Sequence, residues 1–260
     1  MIPNYKKVFV NSTLAFISAF IITTTIHELG HYLFYLLFGV NPTLYHNYVQ
    51  TLSNSLTNGE HVISALAGPL SSLTQGLIFG IIVSRSSSNA TRHLVFLWLS
   101  LLGFVNFFGY LVMTPLSSTG DTGKAAELLG VSSALRWWIA IVGFAILLWV
   151  IRKMAQYFSR FIPSELEREQ KSKYIYHLMF FPIIAGSMVN TALAFPVVAF
   201  LSIIYPATST YVIMSSFPVI LKRPGSFRDS PEIEEKIVMG LGLMTLCGII
   251  LNRLLTLGWG

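Results

Sequence analysis

The stretch Thr25-Ile-His-Glu-Leu-Gly-His-Tyr32 lies inside an apolar run that covers residues 8–39. That run is too long and too free of charge for a buried strand, so it reads as a tilted or protruding membrane-spanning helix. On a helix His27 and His31, four residues apart, project from one face a turn apart. Two imidazole nitrogens so placed can share one tetrahedral zinc ion, and Glu28 sits one step round the same turn. Zinc lowers the pKa of a bound water to about 7, and the glutamate can then take its proton. Thr24 and Tyr35 extend the polar stripe. From the His and Glu content of the chain, an H-E-x-x-H pattern arises by accident in roughly one chain in 200 of this length. Ionisable groups at membrane depth are costly, which argues against two merely structural histidines.

Composition agrees with a chain made for lipid. Of 260 residues, 53% are hydrophobic and only 11% charged, the profile of a polytopic membrane protein. The formal charge of +6 does not indicate nucleic-acid binding, because the basic residues fall in loops between apolar runs, as cytoplasmic loops do. A single cysteine, Cys247, leaves no intrachain disulfide.

Further spans are expected at about 62–84, 93–113, 134–151, 177–204 (interrupted by Pro182 and Pro196), a short 207–221 that spans poorly or re-enters, and 231–257. The expected fold is therefore all-α, with about six to seven transmembrane helices. Residues 43–50, aromatic and β-branched, read as a short strand or hairpin after the first helix, and 51–60 as loop. Ser164 and Glu167 have the spacing of a capping box for a short soluble helix within a charged loop at 152–175. Residues 1–133 form one unit, a three-helix zinc-binding core, and 134–260 supply additional membrane helices. Gly68, Ser71, Ser72, Gly103 and Gly109 are the small residues expected where helices touch, with 231–257 at the periphery.

A third metal ligand has few candidates. Before residue 160 the acids are Glu28, Glu60, Asp121 and Glu127. Asp121 follows two crossings from the His27 end, so it returns to the same side, and it completes a two-histidine, one-carboxylate set that leaves a position open for water. Capping of a helix at 122–129 is the competing role for it, and Glu127, His46 and His61 share that side.

The His-Glu-Leu-Gly-His at 27–31 resembles the motif of the site-2 protease family of intramembrane zinc metallopeptidases. Ala-Leu-Ala-Gly-Pro-Leu-Ser-Ser at 65–72 is similar to that family's G-P-L-x-N region, with serines where asparagine is usual. Asp121 is placed like the family's third zinc ligand, although Asn106 stands 15 residues before it rather than in a compact motif. The resemblance covers about residues 10–130. It implies zinc on His27, His31 and Asp121 and Glu28 as the catalytic base. Asn106, a polar side chain at membrane depth, is a substrate-binding candidate that hydrogen-bonds either a substrate backbone or a neighbouring helix. The implied activity is hydrolysis of peptide bonds in or near transmembrane segments of membrane-protein substrates within the lipid bilayer. The alternative is a non-proteolytic scaffold or regulator that keeps a zinc site; the intact Glu28 argues against it.

For orientation, seven crossings place 14 of the 17 Lys and Arg residues on the N-terminal side, against Lys124, Arg136 and Arg253 opposite. The positive-inside rule then makes the N-terminus cytoplasmic and turns the metal outward. The family resemblance implies the reverse.

Overall fold

The computed structural model describes residues 3–52, 56–197, 201–225 and 231–260. Helix α1 (Tyr5–Leu37) opens at Asn4, whose side chain accepts from the Lys7 N–H at 3.2 Å, and the chain turns away at Gly39 with φ +72°. Glycine takes that left-handed backbone without penalty. A two-stranded antiparallel hairpin follows, β1 (Thr43–Leu44) with β2 (Val49–Gln50). Helix α2 (Asn58–Arg85) begins four residues before the expected start. The reason is a capping box, in which the Glu60 carboxylate accepts from the Thr57 N–H at 2.7 Å and Thr57 Oγ1 accepts from the Glu60 N–H at 3.3 Å. Residues 58–60, read as loop from their polarity, are thereby helical.

Helices α3 (Thr91–Met113) and α4 (Asp121–Leu128) complete the first half. Then come α5 (Ser133–Ala155), a 3-10 turn (Gln156–Phe161), and α6 (Arg168–Ile175) running through a π turn (Tyr176–Phe180) into α7 (Phe181–Leu193). The predicted Ser164–Glu167 capping box does not form. Glu167 itself is the N-cap of α6, and no side chain caps that end. Pro182 does not interrupt the fifth span: it directly follows the π turn at Tyr176–Phe180, and the helix continues through it to Leu193. That span ends at Leu193 rather than near 204. The remaining elements are α8 (Leu201–Thr208), a 3-10 stretch (Ser209–Ser216), α9 (Phe217–Lys222), α10 (Glu232–Glu235) and α11 (Met239–Leu255).

Among the described residues, six helical stretches are long and apolar enough to cross a bilayer, so the chain has the build of an all-α, multi-pass membrane protein with a small hairpin. The segment left between poor spanning and re-entry is long and apolar enough to cross: Ile203–Lys222 is one of the six. Its C-terminal end is held by Lys171, whose Nζ donates to the Leu221 and Arg223 carbonyls. The expected single helix over 231–257 is two. Between α10 and α11 the backbone opens, and Asn11 fills the gap: its Nδ2 donates to the Ile233 and Lys236 carbonyls (2.8 and 2.7 Å), and its Oδ1 accepts the Val238 N–H at 2.9 Å. Ser230, which the sequence Ser230-Pro231-Glu232 marks as an N-cap with proline in the first turn, lies outside the described residues.

Helix α1 is the central post, flanked by α2, α3, α7 and α11. Helix α11 keeps one face outward, with Leu243 and Ile250 exposed, yet it packs directly on α1, where Ser18 Oγ and Thr245 Oγ1 are 2.8 Å apart. Gln75 on α2 ties the first three helices together, its Nε2 donating to Thr23 Oγ1 at 2.7 Å and to the Leu99 carbonyl at 2.8 Å. Small residues do mark the closest approaches. A Cβ on Gly103 would lie 2.6 Å from the Ser72 carbonyl oxygen, and one on Gly30 would strike Ser71 and Ala67. Gly109 is the exception, with nothing within 4 Å of its would-be Cβ. The buried apolar core is continuous from Phe16, Trp98 and Leu101 into Ile151, Phe158, Tyr174 and Ile233.

A candidate metal centre within the membrane bundle

His27, Glu28 and His31 are all buried on the last third of α1 (2%, 6% and 8% exposed). The position they face is filled from α4. The link from α3 to α4 is short and tightly held: Thr122 Oγ1 donates to the Tyr110 carbonyl at 2.6 Å and accepts from Thr114 Oγ1 at 2.8 Å. Gly123 lies so close to the Ser117 carbonyl that no side chain fits there. These contacts bring the first turn of α4 under α1. Gly120 is the N-cap of that helix, so Asp121 is not used as a cap. Its carboxylate instead meets the histidines, with Oδ2 at 2.9 Å from His27 Nε2 and 3.2 Å from His31 Nε2; the two Nε2 atoms are 3.1 Å apart.

Among the described residues, His27, His31 and Asp121 are the set of three such side chains whose donor atoms converge closely enough to hold a metal ion. Around a tetrahedral ion with bonds of 2.0–2.1 Å, ligand atoms stand about 3.3 Å apart. The observed triangle has nearly that size. Both imidazoles also turn the correct nitrogen inward. His31 Nδ1–H donates to the Ser64 carbonyl at 2.7 Å, and His27 Nδ1 lies 3.3 Å from Ser72 Oγ. An N–H engaged at Nδ1 leaves the Nε2 lone pair free for a ligand bond, the usual outer-shell support of metal-bound histidine. Burial alone would raise the pKa of Asp121, but His31 and His27 outweigh it and hold the carboxyl below the ordinary carboxylate range.

Sequence reasoning did not single out the groups that orient these side chains. Tyr110 stacks on the His27 ring (centroids 4.9 Å apart, planes at 12°) and lines the same cavity as Asp121. Its spacing of four residues after Asn106, on the same face of α3, was the available signal. The Ser64 carbonyl had none, since any residue there offers the same oxygen. Gly68 has a stronger reason than helix contact: a Cβ there would overlap the His31 ring.

The three residues border a cavity of about 270 Å³ that is also lined by Glu28, Asn106, Tyr110, the hairpin residues 46–49, and Asn190 and Tyr205 from the second half. Asn106 is 3% exposed, and its Oδ1 has no partner among the described residues. The fallback ligands stand apart from the cluster. His46 donates to the Ala194 carbonyl, His61 is half-buried near the start of α2, and Glu127 is exposed on α4. Comparison with protein-family models, curated proteins and solved structures found no match for this chain.

Proposed function

We propose that this chain is a zinc-dependent intramembrane peptidase of the site-2 protease type, hydrolysing peptide bonds in or near transmembrane segments of other membrane proteins. The observation that carries the reading is the convergence of His27, His31 and Asp121 beside Glu28, in one cavity among bilayer-length helices. Two imidazoles and a carboxylate are a donor set of hydrolytic zinc sites, which keep a coordination position for water or substrate. Zinc there would supply Lewis acidity and lower the pKa of water to about 7.

The chain's own groups account for the remaining needs. A Glu28 carboxylate oxygen takes the proton of the attacking water and returns it to the leaving amine. Neither histidine is available as that base, because each turns its Nε2 to the ligand cluster and its Nδ1 to α2. Asn106 offers a buried oxygen to a substrate main-chain N–H. Bilayer-length helices around the cavity limit bulk water, which strengthens charge interactions in it.

The described basic residues at the cavity end are Lys124, Arg136 and Arg253, with the rest gathered at the opposite end. On the positive-inside rule this makes the N-terminus cytoplasmic. The test of function is a purified-protein assay against a synthetic transmembrane substrate, with metal analysis alongside. Glu28→Gln should retain one zinc per chain and lose cleavage by at least 100-fold, within the range that general-base catalysis contributes. A Gln variant that cleaves at close to the wild-type rate defeats the mechanism.

A further inference from the structure

Helix α5 starts at Ser133, just after the helix that carries Asp121, and runs away from the metal cavity. At 1.5 Å per residue its last turn stands about 30 Å from that start. There, between α5 and the end of α9, the surface holds an open groove of about 440 Å³. Its two walls have the same order. On α5, Ala145 and Leu148 come two turns and one turn before Arg152 and Lys153; on α9, Val219 comes one turn before Arg223. Apolar side chains therefore line the part toward the bilayer centre, and cations line the part toward its surface. Trp149 stands between the two levels, 61% exposed, with Lys153 Nζ 5.9 Å from its ring centroid. Tryptophan so placed marks the depth of the lipid headgroups.

The three cations are exposed and unbalanced. None of the lining side chains is acidic, and no carboxylate pairs with Arg152, Lys153 or Arg223 among the described residues. A soluble phosphate would meet the positive charge but gain nothing from Ala145, Leu148 and Val219. A zwitterionic lipid would fill the apolar slot but leave the charge unbalanced. A phospholipid with a net negative headgroup satisfies both levels at once, and the planar fork of arginine matches its phosphate oxygens.

We propose that this groove is a binding site for one anionic phospholipid, with an acyl chain along Ala145, Leu148 and Val219 and the phosphate among Arg152, Lys153 and Arg223. The site shares no residue with the metal cavity and stands independently of the peptidase reading. It draws on the leaflet at the basic end of the bundle and fastens α5 to the end of α9.

The test places the full chain in phosphatidylcholine vesicles with a minor fraction of phosphatidylglycerol and reads tryptophan fluorescence, with quenching bromines on the acyl chains of one lipid or the other. The share of quenching lost in Trp149→Phe reports the groove, and in the wild type it should favour phosphatidylglycerol. Removing all three cations together (R152Q, K153Q and R223Q) should weaken that association about 100-fold, about fivefold for each charge. Removing Lys6, Arg85 and Arg92 instead, by the same change to Gln, takes away equal charge at the same end but outside the groove, and should leave association close to wild type. Ala145→Phe fills the slot and keeps every charge; it should weaken association about tenfold, the equivalent of roughly two buried methylene groups. Equal losses in the two triple variants would reduce the effect to general surface attraction and overturn the site. So would unchanged association in Ala145→Phe, the absence of any phosphatidylglycerol preference in the wild type, or full displacement of the lipid by glycerol phosphate.

Discussion

His31 Nδ1 lies 2.7 Å from the carbonyl oxygen of Ser64, so a main-chain group of α2 fixes the tautomer of a candidate metal ligand on α1. The approach that permits this depends on Gly68, one turn further along α2, which leaves room for the His31 ring. Gly68→Ala should therefore displace His31 rather than merely loosen the helix pair. We expect expression and helicity close to wild type, with metal occupancy after dialysis reduced at least tenfold. Full occupancy in a well-folded Ala variant would show that the ring does not need that space.

Ser72 supports His27 from the same helix, at 3.3 Å from its Nδ1. Loss of an outer-shell partner typically costs 10–100-fold in metal affinity. Because this contact is long, Ser72→Ala should fall at the lower limit, about tenfold, as read by competition with a chromogenic chelator. An unchanged affinity would assign Ser72 to helix packing alone.

Asp121 and Glu127 stand six residues apart on α4, and only Asp121 meets the histidines. Asp121→Ala should leave the purified protein with far less than one metal per chain, whereas Glu127→Ala should match the wild type. The reverse pattern in a side-by-side elemental analysis would move the third ligand to Glu127.

A pH effect is expected at the opposite end of the bundle. Glu232 accepts from the Thr91 N–H at 3.0 Å and from the Thr91 hydroxyl at 2.9 Å, capping α3 from a distant part of the chain. These bonds, with Lys236 assisting, hold its pKa below the usual value for glutamate. A depressed carboxylate contributes stability above its unfolded pKa and loses it as pH falls through the folded one. Glu232→Gln should thus cost about 1 kcal/mol near neutral pH, a modest figure because the group is partly exposed. The difference should disappear in acid, which thermal melts of both proteins in detergent at pH 7 and pH 3 would reveal. A difference that persists at the acid end would mean that shape, not charge, makes the cap.

The sequence alone determined the class of the fold, because lipid admits few solutions. Long uncharged runs must be helices there, since each backbone group needs an internal partner. It also determined that His27, Glu28 and His31 share a helix face, because helical period is a local property. The strand character of 43–50 was legible for the same reason. Breaks and starts were less so. The Thr57–Glu60 capping box lay in plain view among polar residues that read as loop, whereas the Ser164–Glu167 pair had the same spacing and stayed open. The gap between α10 and α11 is held by Asn11, more than 200 residues away, and no local rule can anticipate such a partner. Asp121 became a member of the cluster only through tertiary structure. Its competing role as a helix cap stayed open on local grounds. What settled it was the short, hydrogen-bonded path from Tyr110 through Thr114 to Thr122, which sets the first turn of α4 against α1 and puts a carboxylate 2.9 Å from His27. A sequence states which groups can ligate; the distance between two helices decides which of them meet.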